Sequence, residues 1–311
     1  MELSLVIPVH NEAENIGELS GRIRSAMNGH SYEVIWVDDG SNDRTAEEIR
    51  KHSDAETRMI CLSRNFGQTA AMSAGIDIAQ GEFIVTLDGD QQNNPDDILV
   101  LLKQLKEGEW DLVAGYRKDR KDSFLRTIPS RLANWLIRSI SGVTVRDYGC
   151  TLKVFRSQYA KNLELHGEMH RFIPILAALQ GARIIDWEVS HAPRRHGKSK
   201  YGLGRTFNVL SDLFLLYFFQ KYFRRPIHLF GPLGMFTLLI GTAICVYLLG
   251  VKISGEDIWG RPLLILGVLL VLAGIQFLTF GLLAELMMRL YFSSGRRPYT
   301  IKSTFVGTTR T

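Results

Sequence analysis

Cysteine is scarce and unpatterned: Cys61, Cys150 and Cys245 are the only three, and none has a metal-ligand spacing. That excludes a zinc ribbon and argues against a disulfide framework. No Gly-x-Gly-x-x-Gly follows the first apolar run, which argues against a bound dinucleotide. No stripe of interleaved basic and aromatic residues occurs, so nucleic acid is not an expected partner. No signal-peptide pattern precedes the apolar run at residues 3–8. The formal charge of +5 is a modest excess for 311 residues. It gathers beside the C-terminal apolar runs, so anionic lipid is the better partner.

Long apolar runs are what the chain does have. Residues 229–251 and 262–284 carry no charged side chain. At 1.5 Å per residue each would extend about 34 Å as a helix, enough for a hydrocarbon core of about 30 Å. Two buried core helices would be the alternative; the tandem arrangement and the flanks favour two membrane spans. Lys221, Arg224 and Arg225 precede the first run, and Arg289, Arg296, Arg297 and Lys302 follow the second. The connection between Lys252 and Arg261 balances its basic residues with Glu256 and Asp257. The positive-inside rule then predicts that both flanks and the N-terminal domain are cytoplasmic, on an inner membrane crossed twice. Four regions are expected: a catalytic domain at 1–200, an amphipathic juxtamembrane helix at 201–226, the two spans within 227–290, and a cytoplasmic tail at 291–311. Leu203, Phe207, Leu210, Phe214, Tyr217 and Phe218 form the apolar face of that juxtamembrane helix. The composition break near Arg225 predicts that a chain ending at Tyr222 still binds nucleotide.

Before the spans, strand and helix signals alternate. Apolar runs at 3–7, 34–37, 59–62, 83–87 and 112–114 read as parallel strands, separated by helical stretches at 16–27, 45–51, 68–78 and 95–105. The predicted fold is an α/β doubly wound, mostly parallel sheet whose ligand crevice lies beyond the carboxyl ends of its strands. Unusual polar clusters fall there: Pro8 to Glu12, Asp38 to Asp43, Ser63 to Gly67, and Asp88-Gly89-Asp90-Gln91-Gln92. Four polar clusters after four strands point to one site. Two carboxylates one residue apart after an apolar strand can hold one Mg²⁺ or Mn²⁺, leaving positions open for water and phosphate oxygens. Gly89 permits a turn and close ligand approach. Asn94 is predicted to cap the next helix, with Pro95 at its first position.

These clusters, from Val6-Ile7-Pro8 through Val37-Asp38-Asp39-Gly40-Ser41 and Leu62-Ser63-Arg64-Asn65-Phe66-Gly67 to Asp88-Gly89-Asp90-Gln91-Gln92, resemble the inverting glycosyltransferases of family 2 with the GT-A fold. The C-terminal spans narrow the resemblance to the polyprenyl-phosphate branch, which includes dolichyl-phosphate mannose synthase and the bacterial undecaprenyl-phosphate glycosyl and aminoarabinose transferases. The resemblance implies that Pro8, Glu12, Asp39, Asn65, Gly67 and Asp88 bind the donor nucleotide, and that Asp88, Asp90 and Gln92 hold the metal. It also implies an acceptor-phosphate grip by Arg117, Arg126 and Ser130, with Arg131, Arg195 and Lys200 as further contacts. Asp90, Asp147 and Arg117 carry the catalytic assignment. At Gly149-Cys150-Thr151-Leu152-Lys153 the chain departs from a Gly-Asp-Phe-Arg pattern of the glucosyl type and is closer to the aminoarabinose type.

The expected activity is transfer of a sugar from a nucleotide donor, UDP-linked by first choice, to a polyprenyl phosphate, undecaprenyl phosphate by first choice. A mannose synthase of the dolichyl-phosphate type using GDP-mannose is the alternative. A processive polysaccharide synthase fits less well, because Gln180-Gly181-Ala182-Arg183-Ile184 lacks the tryptophan of a Gln-x-x-Arg-Trp motif. The residues leave homo-oligomerisation open.

Overall fold

The computed structural model describes residues 1–117, 145–163, 165, 169–192, 226–294 and 299–307. It divides into two units, residues 1–213 with 297–311, and residues 214–296. The first unit is built on β1 (Leu3–Val9), β2 (Tyr32–Asp38), β3 (Thr57–Leu62), β4 (Phe83–Thr86), β5 (Leu112–Tyr116), β6 (Lys153–Arg156), β7 (Ile184–Glu188) and β8 (Ile301–Val306). Among the described residues these form one sheet in the order β7-β5-β6-β4-β1-β2-β3-β8. β1 pairs in parallel with both β2 and β4, and β2 with β3.

The sheet is buried on both faces, which is why its strands are continuous apolar runs rather than alternating ones. On one face Leu3, Leu5, Ile7 and Val9 join Ile16, Leu19 and Ile23 of α1 (Ala13–Ala26) and Ile98, Leu101, Leu102 and Leu105 of α4 (Asp97–Glu107). On the other, α3 (Gln68–Ile78) lies so close that a Cβ at Gly75 would come within 2.4 Å of Val6 Cγ1. Each such Leu or Ile contributes roughly 1.5–3 kcal/mol through burial. After β3 the chain returns to the far side of β1 to make β4. The order reverses there, and a crevice opens at the carboxyl ends.

Three features depart from the expected organisation. The fifth parallel run is not adjacent to β4, because antiparallel β6 lies between β4 and β5. The helix after Asp90 starts at Asp97 rather than Pro95; Asn94 Oδ1 instead accepts the N–H of Asp96 (3.4 Å) and Nη2 of Arg22 (3.0 Å), closing a turn before the helix. The expected tail is a strand: β8 pairs antiparallel with β3 from Arg58↔Val306 to Leu62↔Ile301. Ser63 N–H donates to the Thr300 carbonyl (3.0 Å), and the Tyr299 hydroxyl donates to Asp77 (2.5 Å). A catalytic domain bounded at residue 200 therefore omits one strand of its own sheet.

The second unit is a hairpin of α5 (Ile227–Ile253) and α6 (Pro262–Ser294), which follow α1, α2 (Thr45–Lys51), α3 and α4 along the chain. Both helices extend past the expected spans, and both are long and apolar enough to cross a membrane. Phe236, Leu239, Leu269 and Phe280 are exposed. The two helices meet along glycines: a Cβ at Gly241 would lie 2.6 Å from the Val271 nitrogen, and one at Gly274 2.7 Å from the Leu238 nitrogen. Such small residues let backbones approach where water supplies no hydrophobic drive.

Candidate active site

The loops after β1, β2 and β3 are bonded into one wall. Asp38 Oδ1 accepts the N–H of Ser41 (2.9 Å) and closes the turn after β2. Gly40 has φ +66°, and a Cβ there would fall 2.4 Å from the Arg64 carbonyl carbon, so only glycine lets the two loops touch. Buried Asp39 accepts the N–H groups of Phe66 (2.7 Å) and Gly67 (2.9 Å) on its two oxygens. His10 Nδ1 lies 2.9 Å from the Asp39 carbonyl oxygen. The Glu12 N–H donates to Thr45 Oγ1 (2.9 Å), and its Oε2 accepts from Asn15 Nδ2 (2.5 Å).

The acid pair follows β4. Asp88 accepts from Gln68 Nε2 (2.7 Å) at the start of α3 and from Thr151 Oγ1 (2.5 Å) just before β6. Burial, and then the negative charge of Asp90, push the Asp88 carboxyl up to about 6. Asp90 is itself buried and accepts the N–H of Gln92 (3.2 Å). Gly89 passes so near β1 that a Cβ would lie 2.5 Å from Val9 Cγ1. Residues 191–192 close over this loop: Asn93 and His191 form an isolated β-bridge, and the Ala192 N–H donates to the Gln92 carbonyl (2.9 Å).

Arg117 follows β5 and is gripped bidentately by Asp147, Nε to Oδ2 at 2.6 Å and Nη2 to Oδ1 at 3.1 Å. The two side chains are 11% and 9% exposed. Burial opposes the guanidinium charge, but the bond to Asp147 outweighs it and raises the Arg117 pKa. Lys153, 2% exposed at the start of β6, donates from Nζ to the Cys150 carbonyl. Burial lowers its pKa against the pull of Asp147 and Asp88. Burial also pushes the Cys150 thiol up to about 11, so it stays neutral.

Asp88, Asp90 and Asp147 thus stand against Arg117 and Lys153, and the acid pair bears the unbalanced charge. A divalent cation fits it: the donors are hard oxygens, and the mutual repulsion that raises Asp88 is what a cation relieves. No cluster of three His, Cys, Asp or Glu side chains arranged to ligate a metal occurs among the described residues. A two-carboxylate site leaves most positions to water and ligand, the habit of Mg²⁺.

A model of the family described as "Glycosyl transferase family 2" matches residues 4–172. The chain belongs to that family. A dodecaprenyl-phosphate galacturonate synthase from Rhizobium johnstonii is 46% identical over 315 residues, covering 98% of this chain and 93% of the relative. An undecaprenyl-phosphate 4-deoxy-4-formamido-L-arabinose transferase from Edwardsiella ictaluri is 36% identical over 303 residues, covering 95% and 91%. Among solved structures, glucosyl-3-phosphoglycerate synthase from Mycobacterium tuberculosis, in complex with Mn²⁺, UDP and its product, superposes with a TM-score of 0.54 at 16% identity. That likeness covers 70% of this chain and 79% of the neighbour, and it shows the GT-A fold.

In this family 2 glycosyltransferase, the expected site residues Pro8, Glu12, Asp39, Gly67, Asp88, Asp90, Gln92, Arg117 and Asp147 all lie at one end of the sheet. Asn65 is exposed, and its Oδ1 accepts the Gly67 N–H (3.1 Å), which shapes the loop. Arg126, Ser130, Arg131, Arg195 and Lys200 lie outside the described residues, as does the expected juxtamembrane helix. Gln68, Thr151 and Lys153 join the site only through the fold, the last two from the Gly149-to-Lys153 segment. A lysine opening the short apolar run Val154-Phe155 was the one available signal.

Proposed function

We propose that this enzyme moves a sugar, with inversion, from a nucleotide-sugar donor to a polyprenyl phosphate, giving a lipid-phosphate-linked monosaccharide. The observation that carries the reading is the guanidinium of Arg117, locked bidentately by Asp147 within electrostatic reach of the half-buried acid Asp88. One element suits a donor diphosphate and the other an acceptor phosphate. The 46% and 36% identical relatives, named for dodecaprenyl- and undecaprenyl-phosphate products, support a bacterial polyprenyl acceptor over dolichyl phosphate. They also make a UDP-linked uronic acid or 4-formamido-pentose the first donors to test.

Asp88 and Asp90, with Gln92, would hold Mg²⁺ or Mn²⁺, which when bound neutralises the departing diphosphate. The chain's own groups do the rest. A phosphate monoester, with a second pKa of about 6, is already a nucleophile near neutral pH, so no strong base is required. Its oxygen forms the new bond to the anomeric carbon as the carbon–oxygen bond to the diphosphate breaks on the opposite face. The Arg117 fork orients the acceptor phosphate and offsets repulsion between two anions. Asp147 holds that fork in place. The wall of Asp39, Phe66 and Gly67 supplies the nucleotide side.

The chain leaves the sheet before the hairpin and returns to it as β8, which supports an even number of crossings. Basic flanks favour the cytoplasmic side. A periplasm-dependent reporter fused at the C-terminus that became active would refute this orientation. For the reaction, purified protein is incubated with a panel of UDP-sugars and undecaprenyl phosphate, and organic-soluble monosaccharide lipid is measured. Asp90→Asn should lower turnover by about a hundredfold or more. Unchanged turnover in that variant, or in EDTA, would overturn the metal assignment.

A further inference from the structure

Residues 147–151 touch both halves of the site. At one end Asp147 grips Arg117; at the other, Thr151 Oγ1 donates to Asp88. Between them the turn closes on itself, with the Gly149 N–H donating to Asp147 Oδ1 (3.0 Å). Two groups hold it from below. Thr86 Oγ1, at the end of β4, donates to the Thr151 carbonyl (2.6 Å), and the Lys153 ammonium donates to the Cys150 carbonyl.

Lys153 is otherwise hard to account for. In register it stands between Thr86 of β4 and Ala114 of β5, inside the sheet and 2% exposed. Its ammonium carries three donors, yet the Cys150 carbonyl is its only hydrogen-bond acceptor among the described residues. A buried charge with so few bonds destabilises a fold, and a methionine of similar length would fill the space without that cost.

We infer that Lys153 is a positioning residue: by pinning the 147–151 turn it sets Asp147 with Arg117 and Thr151 with Asp88 in one register, coupling the acceptor and donor halves of the site. This rests on the reading of Arg117 and Asp88 as acceptor and donor elements. Arg117 and Asp88 follow different strands, β5 and β4, which do not pair with each other. The turn leading into β6 is what joins them. Reacting groups displaced by about 1 Å can lose a hundredfold in rate, so a turn that sets two phosphates relative to each other bears directly on turnover.

The test uses full-length protein in detergent, wild type against Lys153→Met and Lys153→Arg. Hydrogen exchange is followed at residues 147–151 and 88–92, alongside kcat and acceptor KM. Lys153→Met should speed exchange in both segments and lower kcat by about tenfold or more, with a rise in acceptor KM. Lys153→Arg should restore most of both, because it keeps a cation over the Cys150 carbonyl. Exchange unchanged in both segments, or a fall in kcat that arginine does not reverse, overturns the inference. If Lys153→Met does not fold, Thr151→Val decides: it should speed exchange at 88–92 alone, and no change there overturns it. Exchange that responds as expected in a protein giving no lipid product would sink the acceptor reading and leave the positioning role standing.

Discussion

Removing residues 295–311 should destabilise the catalytic unit even though every expected site residue remains. The truncation strips β8 from β3, along with the Ser63–Thr300 and Gly307–Thr57 backbone bonds (3.0 and 2.8 Å) and the Tyr299–Asp77 bond. Five register pairs are lost. At about 1 kcal/mol net per hydrogen bond, the loss is on the order of 5 kcal/mol. A domain has only about 5–15 kcal/mol in all. For a unit of this size that is a fall of roughly 10–20 °C in the unfolding midpoint, taking about 2–4 °C per kcal/mol. β3 also becomes an open edge, a template for aggregation. Because Ser63 begins the loop that Asp39 holds, nucleotide affinity should weaken as well. The assay is thermal unfolding of full-length and truncated chains in the same detergent, read by the fluorescence of buried Trp36, with metal-dependent nucleotide binding in parallel. A midpoint within a few degrees and unchanged binding would refute the reasoning. The same logic revises the expectation for a chain ending at Tyr222, which lacks β8 and should bind nucleotide poorly.

Arg117→Ala should weaken use of polyprenyl phosphate by about 2–3 kcal/mol, roughly thirty- to 160-fold, while metal-dependent nucleotide binding changes far less; lysine should rescue only in part, and loss of nucleotide binding instead would put the two phosphates on the wrong sides. His170, whose Nδ1 lies 2.8 Å from Thr69 Oγ1, is pushed down to about 3 by burial and by the Arg171 charge. The unfolded chain therefore takes up a proton near pH 6.5 that the folded chain refuses, so stability falls as pH drops below about 6.5, by up to about 1.4 kcal/mol per pH unit, until about pH 3. Denaturant titrations of wild type and His170→Asn between pH 7 and pH 5 should show the slope reduced in the variant, and identical slopes would exclude His170 as the source. Gly274→Leu would drive a side chain into the Leu238 backbone, so the hairpin should lose its packing. An engineered cysteine pair across the seam that crosslinks equally well in that variant would refute the glycine contact.

Much of the fold was legible because burial on both faces leaves an unmistakable mark: Leu3 to Ile7 and Phe83 to Leu87 are apolar at every step but Ser4 and Thr86, and polar clusters follow each strand. Local chemistry also located the acid pair and Arg117, since strand ends in a doubly wound sheet gather at one crevice. The edge strand β8 was not legible. Ile301 to Val306 mixes lysine, serine and threonine with apolar residues, and as an edge strand it needs little burial; only its partner β3 makes it a strand. Helix onset at Asp97 escaped for a related reason, because Arg22 of α1 draws Asn94 into a turn that no local pattern records.

The sheet's central strands, the residue types at their ends and the two long apolar helices are written into local pattern and composition. Which of those residues come into contact depends on pairings distant in the chain. Antiparallel β6 brings Thr151 to Asp88 across 63 positions and sets Lys153 against the Cys150 carbonyl, while Asp147 closes on Arg117 across 30. Such pairings depend on strand order, and strand order is set by how the whole chain buries its apolar faces, not by any segment of it.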